Sequence, residues 1–262
     1  MLGITFKGAL GIGDQVQFSS FPENHFRNTG EKVVDIDRSW VFDHNPFVIR
    51  DRAPQQVVDL WTEPWPARHS TAEEYRRKPV FFSLAERTCS IFGHTAYLRH
   101  PRLYRFEDLP RMEKRLVLHT TGKKIPPRAA LGEDRQRALS QEIIDYIRHR
   151  YRGYEIIQIG ALDDLDAHVI DCRGLPEIWQ VARIVAQASI FIGVDSGPYW
   201  ISACYPAVFR KKVMMQYPPE YLRDHFVPMH VPNNHVHWHD LSCLYYNRSQ
   251  DDAGVTYSYL KL

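Results

Sequence analysis

Short β-rich runs alternate with helical stripes along most of this chain, and that alternation constrains its fold more than any other feature. "LGITFKG", "EKVVDID" and "PFVIRD" read as strands in the first half, and "RLVLHTT", "YEIIQIG", "ASIFIGVD" and "KKVMMQYP" in the second. Between them Leu139, Ile143, Ile144, Ile147 and Tyr151 recur at helical spacing, as do Ile178, Val181, Ile184, Val185 and Ala188. Such an alternation predicts an α/β protein built of parallel layers.

A chain of 262 residues suffices for one large domain or two small ones. The polar stretch "RFEDLPRMEKR", 105–115, separates a less regular first half from a cleaner second, and the boundary is placed near Lys114. The expectation is an N-terminal Rossmann-like domain over 1–114, a C-terminal one over 115–226, and a tail over 227–262 that packs back on the first. Two such domains would face a cleft lined by the C-terminal ends of both sheets, where α/β proteins bind ligands.

Composition removes several classes. A hydrophobic content of 44% and a charged content of 24% are those of an ordinary globular chain. A formal net charge of +2 gives no argument for a polyanionic partner. No apolar run approaches the roughly 18 residues needed to cross a bilayer, and the start lacks a signal-peptide pattern, so a cytoplasmic location is expected. Cys89, Cys172, Cys204 and Cys243 form no CxxC pair and read as reduced thiols.

Three turns carry candidate chemistry. "GALGIGDQVQFSS", 8–20, places Gly11 and Gly13 at a strand-to-helix turn and then Asp14. Glycines there make room for a phosphate, yet a carboxylate would repel one. Asp14 suits a proton acceptor for a hydroxyl, or a helix cap. "LVLHTTGKKIPP", 116–127, sets Thr120, Thr121, Lys123 and Lys124 after a strand, a set that suits a diphosphate or a solvated turn. In "FIGVDSGPYWISACY", 191–205, a strand ends at Asp195, and Ser196 is expected to cap a helix with Pro198 in its first turn. The free N–H groups of such a helix start can receive an anion.

Taken in order, "GIGD", "HTTGKKIPP", "IIQIGALDD" and "CRGLPEIWQVARIVAQASIFIGVDSGP" resemble the heptosyltransferase-like glycosyltransferases, family 9 of the GT-B fold. The likeness covers most of the chain and is most specific in its last segment. It implies transfer of a heptose or related sugar from a nucleotide-diphosphate donor, typically ADP-heptose, to an acceptor hydroxyl. It further implies an inverting, metal-independent reaction with no cofactor. Asp14 matches the family's general base, and Gly11 and Gly13 its acceptor-side turn. Thr120, Thr121 and one of Lys123 or Lys124 match groups that hold the donor's phosphates. Asp195, Ser196 and Gly197 match the turn that contacts donor sugar and diphosphate, and Leu175 borders the base. The chain departs from the family at Trp200, where histidine is frequent; an indole donates once and accepts nothing, which bears on the identity of the sugar. Lipopolysaccharide core, another glycan, a protein or a modified nucleic acid all fit as acceptor, as does peripheral contact with a membrane. Trp61 to Arg77 reads as an acceptor surface or as a solvated loop and helix.

Two other functions compete. An NAD(P)-dependent oxidoreductase would use Gly11 and Gly13 as the start of G-x-G-x-x-G with Asp35 or Asp37 on the ribose, but Val16 stands at the third glycine. A non-catalytic nucleotide- or glycan-binding relative would explain Trp200, but not the retention of Asp14, the lysines and Asp195. "DID" at 35–37 and "DLD" at 164–166 match the D-x-D pattern for a divalent ion. His235, His237 and His239 would share one strand face with Cys243 close behind, a set that could ligate a transition metal. The spacing of His239 and Cys243 fits no zinc motif, and loop histidines without metal are the reading adopted.

Overall fold

The structure is a computed structural model and describes residues 1–6, 11–60, 83–98, 100–122, 138–139, 141–194, 196–205, 210–216 and 242–246. The chain divides into two compact units, Met1–Glu107 and Asp108–Leu262.

In the first unit β1 (Leu2–Thr5), β2 (Val33–Asp35), β3 (Val48–Ile49) and β4 (Gln56–Asp59) form one sheet in the order β3-β2-β1-β4. All pairs are parallel. Helices α1 (Ile12–Gln17), α2 (Phe21–Thr29) and α3 (Leu84–Ile91) accompany it, with a short 3-10 turn at Trp40–Phe42. β1 and β2 are buried along their whole length, so both faces of these strands are covered.

Helix α2 is the most deeply set helix of this unit among the described residues, with Phe21, Pro22, Glu23, Asn24 and His25 all buried. It ends at Gly30, which takes the left-handed conformation (φ 75°) that stops a helix. Its polar residues tie down the chain from 94 to 104. The Asn24 amide donates to the Leu98 carbonyl and accepts from the Leu98 N–H, both at 2.8 Å. Asn28, one turn on, does the same with Thr95. Glu23 receives Arg27, Arg102 and the Tyr104 hydroxyl. His25 Nδ1 lies 3.1 Å from His94 Nε2. Burial lowers the pKa of both rings, and each proton added would meet the other imidazole.

In the second unit six parallel strands run in the order β10-β9-β8-β5-β6-β7: β5 (Arg115–His119), β6 (Glu155–Gly160), β7 (Ile170–Arg173), β8 (Ile190–Gly193), β9 (Arg210–Gln216) and β10 (Ser242–Tyr246). Helices α4 (Gln141–Arg150), α5 (Ile178–Ala186) and α6 (Gly197–Ala203) complete it. Leu116 and Leu118 of β5, Ile190 and Ile192 of β8 and Ile144 and Ile147 of α4 share one core cluster. On α5 the buried face runs through Ala182, Val185 and Ala186, while Ile178, Val181 and Ile184 are half-buried. β10 comes from the stretch read as a tail and pairs in parallel with β9.

Asn24→Ala removes both bonds to Leu98 at a site with no solvent exposure and strands a peptide N–H and C=O. Leaving buried polar groups unpaired costs about 1–3 kcal/mol each, so a loss of roughly 2–4 kcal/mol in urea denaturation is expected.

Candidate functional site

Counted from β5, the second sheet has the order 3-2-1-4-5-6, and its direction of build reverses between β5 and β8. Neighbouring strands there send their following chain to opposite faces of the sheet, which opens a crevice at their C-terminal ends. His119, Thr120 and Thr121 leave one side of that crevice, and Val194, Ser196 and Gly197 leave the other. The first sheet begins in the same way, with β1 between β2 and β4, so the turn that leads to Asp14 also follows a reversal.

The two strand ends are held close. His119 and Gly193 pair in register, and a side chain at Gly193 would lie 2.9 Å from both Cβ and the carbonyl oxygen of His119. Only glycine fits that approach. The Ser196 hydroxyl lies 2.9 Å from His119 Nδ1 and 3.0 Å from the Val194 carbonyl. It makes no capping bond to helix α6, in contrast to the expectation from sequence, because these two partners occupy it. His119 Nε2 faces Asp164 Oδ2 at 3.6 Å, and both side chains are more than nine-tenths buried. Gly160 (φ 137°) makes this possible: a Cβ there would stand 2.0 Å from Asp164 Oδ2 and 3.1 Å from His119 Cδ2.

Thr120 is fully buried, and its hydroxyl donates to the Leu165 carbonyl at 2.8 Å. Thr121 receives the Leu165 N–H and approaches the Thr120 hydroxyl at 3.4 Å. Gln158, inside β6 and fully buried, donates to Thr120 and to Leu165 and accepts from the Ala167 N–H. These bonds pin the loop 161–167 over the strand ends. The hydroxyls of the threonine pair are thus engaged within the protein. Leu175 follows β7 at the same end of the sheet and is half-buried, after a left-handed Gly174 (φ 70°). Lys123, Lys124 and Asp195 lie outside the described residues, as do Trp61 to Arg77 and His235, His237 and His239. Trp200 is buried on α6 and packs edge-on against Tyr199.

In the first unit the position that begins helix α1 is Gly11, and Asp14 lies in the first turn with its N–H bonded to the Gly11 carbonyl. Asp14 and Gly13 are half-buried. A Cβ at Gly11 would approach the Asp14 carboxylate at 3.3 Å.

Both D-x-D triplets are divided between other partners. Buried Asp35 takes Arg50, while Asp37 takes the Thr5 hydroxyl and the Phe6 N–H. Asp164 turns to His119, and Asp166 to Arg173 and the His168 N–H. An acid held this way is not available to a ribose, so the oxidoreductase reading loses its second element. Among the described residues no group of three or more His, Cys, Asp or Glu could hold a metal ion, and no helix is long and apolar enough to cross a membrane.

No family model matches the chain, and no curated protein is similar to it in sequence. Solved structures are similar in fold. A family 9 glycosyltransferase from Veillonella parvula matches with a TM-score of 0.58 at 11% identity, over 100% of this chain and 89% of that one. Heptosyltransferase WaaC of E. coli with ADP-2-deoxy-2-fluoro heptose matches at 0.52 and 13% identity, over 83% and 88%. TibC of enterotoxigenic E. coli, an iron-containing dodecameric glycosyltransferase, matches at 0.56 and 13% identity over 81% of this chain. The fold is that of the GT-B heptosyltransferases. This chain spans 59% of the length of TibC.

Among the groups now in place, the sequence reading had assigned no role to His119 or Gln158 and had treated Asp164 only as part of a D-x-D match. For His119 and Gln158 the signal was a polar residue where an otherwise apolar strand is buried; Asp164, in the loop after β6, carried none. Burial pushes the Asp164 carboxyl up to about 6, helped by Asp163 and opposed by the Ala161 N–H and Arg173. A carboxyl that holds its proton more tightly folded than unfolded stabilises the fold fully below 3.8 and loses that contribution as pH rises through about 6. Asp164→Asn should therefore flatten the fall in stability between about pH 4 and pH 6, measured by denaturation at fixed pH values against the parent chain.

Proposed function

We propose that this protein is a glycosyltransferase that moves a heptose or related sugar from a nucleoside-diphosphate donor to an acceptor hydroxyl. The observation that carries the reading is the pair of H-T-T and D-S-G turns on either side of the strand-order reversal in a heptosyltransferase fold. Structures of WaaC with an ADP-heptose analogue and of TibC with ADP-heptose support the same class of donor here. The donor binds the second unit, with Leu175 bordering the base and Ser196 and Gly197 near the diphosphate and sugar. Asp195 and one of Lys123 or Lys124 complete the set by resemblance. Thr120 and Thr121 serve it through the strand end they anchor.

Asp14 accepts the proton of the acceptor hydroxyl as that oxygen attacks the anomeric carbon opposite the leaving group, so configuration inverts. A carboxylate in the first turn of a helix is favoured in its ionised form, which is the form a general base needs. The departing diphosphate carries growing negative charge, and basic side chains offset it without a metal. With the acids of both D-x-D triplets turned to other partners, that task falls to the lysines.

Asp14→Asn keeps the size and removes the proton acceptor. Transfer measured with ADP-heptose and a lipopolysaccharide-core acceptor should fall by a factor on the order of 100 to 10,000, with donor affinity near that of the parent. Normal transfer by this variant would make Asp14 a structural residue. Replacing Lys123 and Lys124 together with Ala should weaken nucleoside-diphosphate binding in calorimetry by at least about tenfold, the scale of one lost charge-assisted hydrogen bond. Unchanged affinity would return that turn to a solvated one.

A further inference from the structure

Ser196 of the donor turn, His119 and Asp164 form a line of buried or half-buried polar groups, and the proposed reaction gives His119 and Asp164 no part. Their order invites comparison with a hydrolytic Ser-His-Asp set, but proton placement argues otherwise. The Ser196 hydroxyl has one proton and two near neighbours. The Val194 carbonyl, at 3.0 Å, can only accept, so the proton goes there. The 2.9 Å contact with His119 Nδ1 then requires the ring to donate. Nδ1 of His119 thereby carries a proton, so the ring cannot draw one from Ser196. A nucleophilic serine needs the opposite arrangement.

We propose that His119 is a positioning residue for the donor turn. Its Nδ1–H holds the Ser196 hydroxyl, which in turn fixes the extended backbone of Ser196 (φ −166°, ψ 178°) where the chain passes from β8 into α6. Asp164 Oδ2 stands 3.6 Å from the ring's other nitrogen, an attraction that requires a proton on Nε2 or on the carboxyl, and with Gly160 and Gly193 leaving room it limits the imidazole to one orientation. The ring is thus clamped between the end of β5, the loop after β6 and the turn after β8. A donor diphosphate that meets this turn finds it already ordered, so binding does not have to order it. This rests on reading the reversal in the second unit as the donor site.

The test uses the full chain and three variants. An Asn side chain can place its amide nitrogen near the position of Nδ1, whereas Gln reaches the position of Nε2. Affinities for ADP, GDP, UDP and CDP are measured by calorimetry, and the tightest is followed. Ser196→Ala and His119→Gln should each weaken it about tenfold, the equivalent of one net hydrogen bond. His119→Asn should recover it to within about threefold. The double variant Ser196→Ala/His119→Gln should bind no more weakly than the worse single one, because both remove the same contact. Nitrogen-15 NMR of the imidazoles in the parent chain should find His119 with a proton on Nδ1.

An Nε2–H tautomer in the parent chain overturns the proposal without reference to any ligand. Unchanged affinity in Ser196→Ala overturns it while leaving the donor reading intact, as does equal loss in the Asn and Gln variants. A parent chain that binds none of the four nucleotides overturns the donor reading, and the NMR result then decides the clamp alone. If His119→Gln fails to fold, Ser196→Ala against His119→Asn still separates the outcomes.

Discussion

Parallel pairing is the constraint on which this structure depends. Two parallel strands cannot be joined by a tight turn, so the chain must cross the sheet between them and re-enter at the same end. Every strand therefore delivers its following residues to one edge, and that edge collects whatever chemistry the turns carry. In the second unit this brings to one edge residues 119–121, 161–167, 174–175 and, from the stretch after β8, 194, 196 and 197, all dispersed in sequence. Because successive strands wind outward from β5 in both directions, the crossovers leave a gap at the β5/β8 pair. The place for a ligand follows from the order of strands before any side chain is considered.

What the side chains add at that edge is a buried polar layer with its bonds closed internally. Gln158, Thr120 and Thr121 carry groups that would be costly to bury alone, and the backbone of Leu165 and Ala167 satisfies them. The same bonds fix a loop that hydrophobic contact alone would leave poorly specified, since Leu162 and Leu165 are exposed. Replacing this layer with apolar residues would preserve the burial and lose the geometry. Glycine contributes by absence. At Gly193 and Gly160 the missing side chain is the space into which His119 and Asp164 fit.

The parts of the fold written in long apolar runs were legible in the sequence. Residues 115–119, 155–160 and 190–193 are strands because their buried pattern leaves no other economical burial, and Ile144 and Ile147 lie on the buried face of a helix as their spacing requires, with Tyr151 buried just past its end. Three described strands were not anticipated, among them Ser242–Tyr246 in the stretch read as a tail. Gln56–Asp59 and Ile170–Arg173 are short, lie at sheet edges and are largely exposed, so neither periodicity nor hydrophobicity marks them. The candidate site was legible as turns and not as contacts. Sequence order places Ser196 at a helix start, where a cap is the local expectation. Only the register of β5 against β8 brings His119 across 77 residues to claim the same hydroxyl.

The first strand of each unit lies at the reversal in its sheet, and the residues that follow the two strands differ in charge. After β1 the turn carries a carboxylate in a helix's first turn, where peptide dipoles favour negative charge. After β5 it carries an imidazole and two hydroxyls, with two lysines next in sequence. A carboxylate repels a diphosphate and attracts a proton, and lysines do the reverse. A transfer reaction needs both functions, since the attacking oxygen must lose a proton while the leaving group gains charge. In the reading proposed above, Asp14 of the first unit supplies the first function and the lysines that follow β5 in sequence supply the second, so substitutions in one unit address one function at a time.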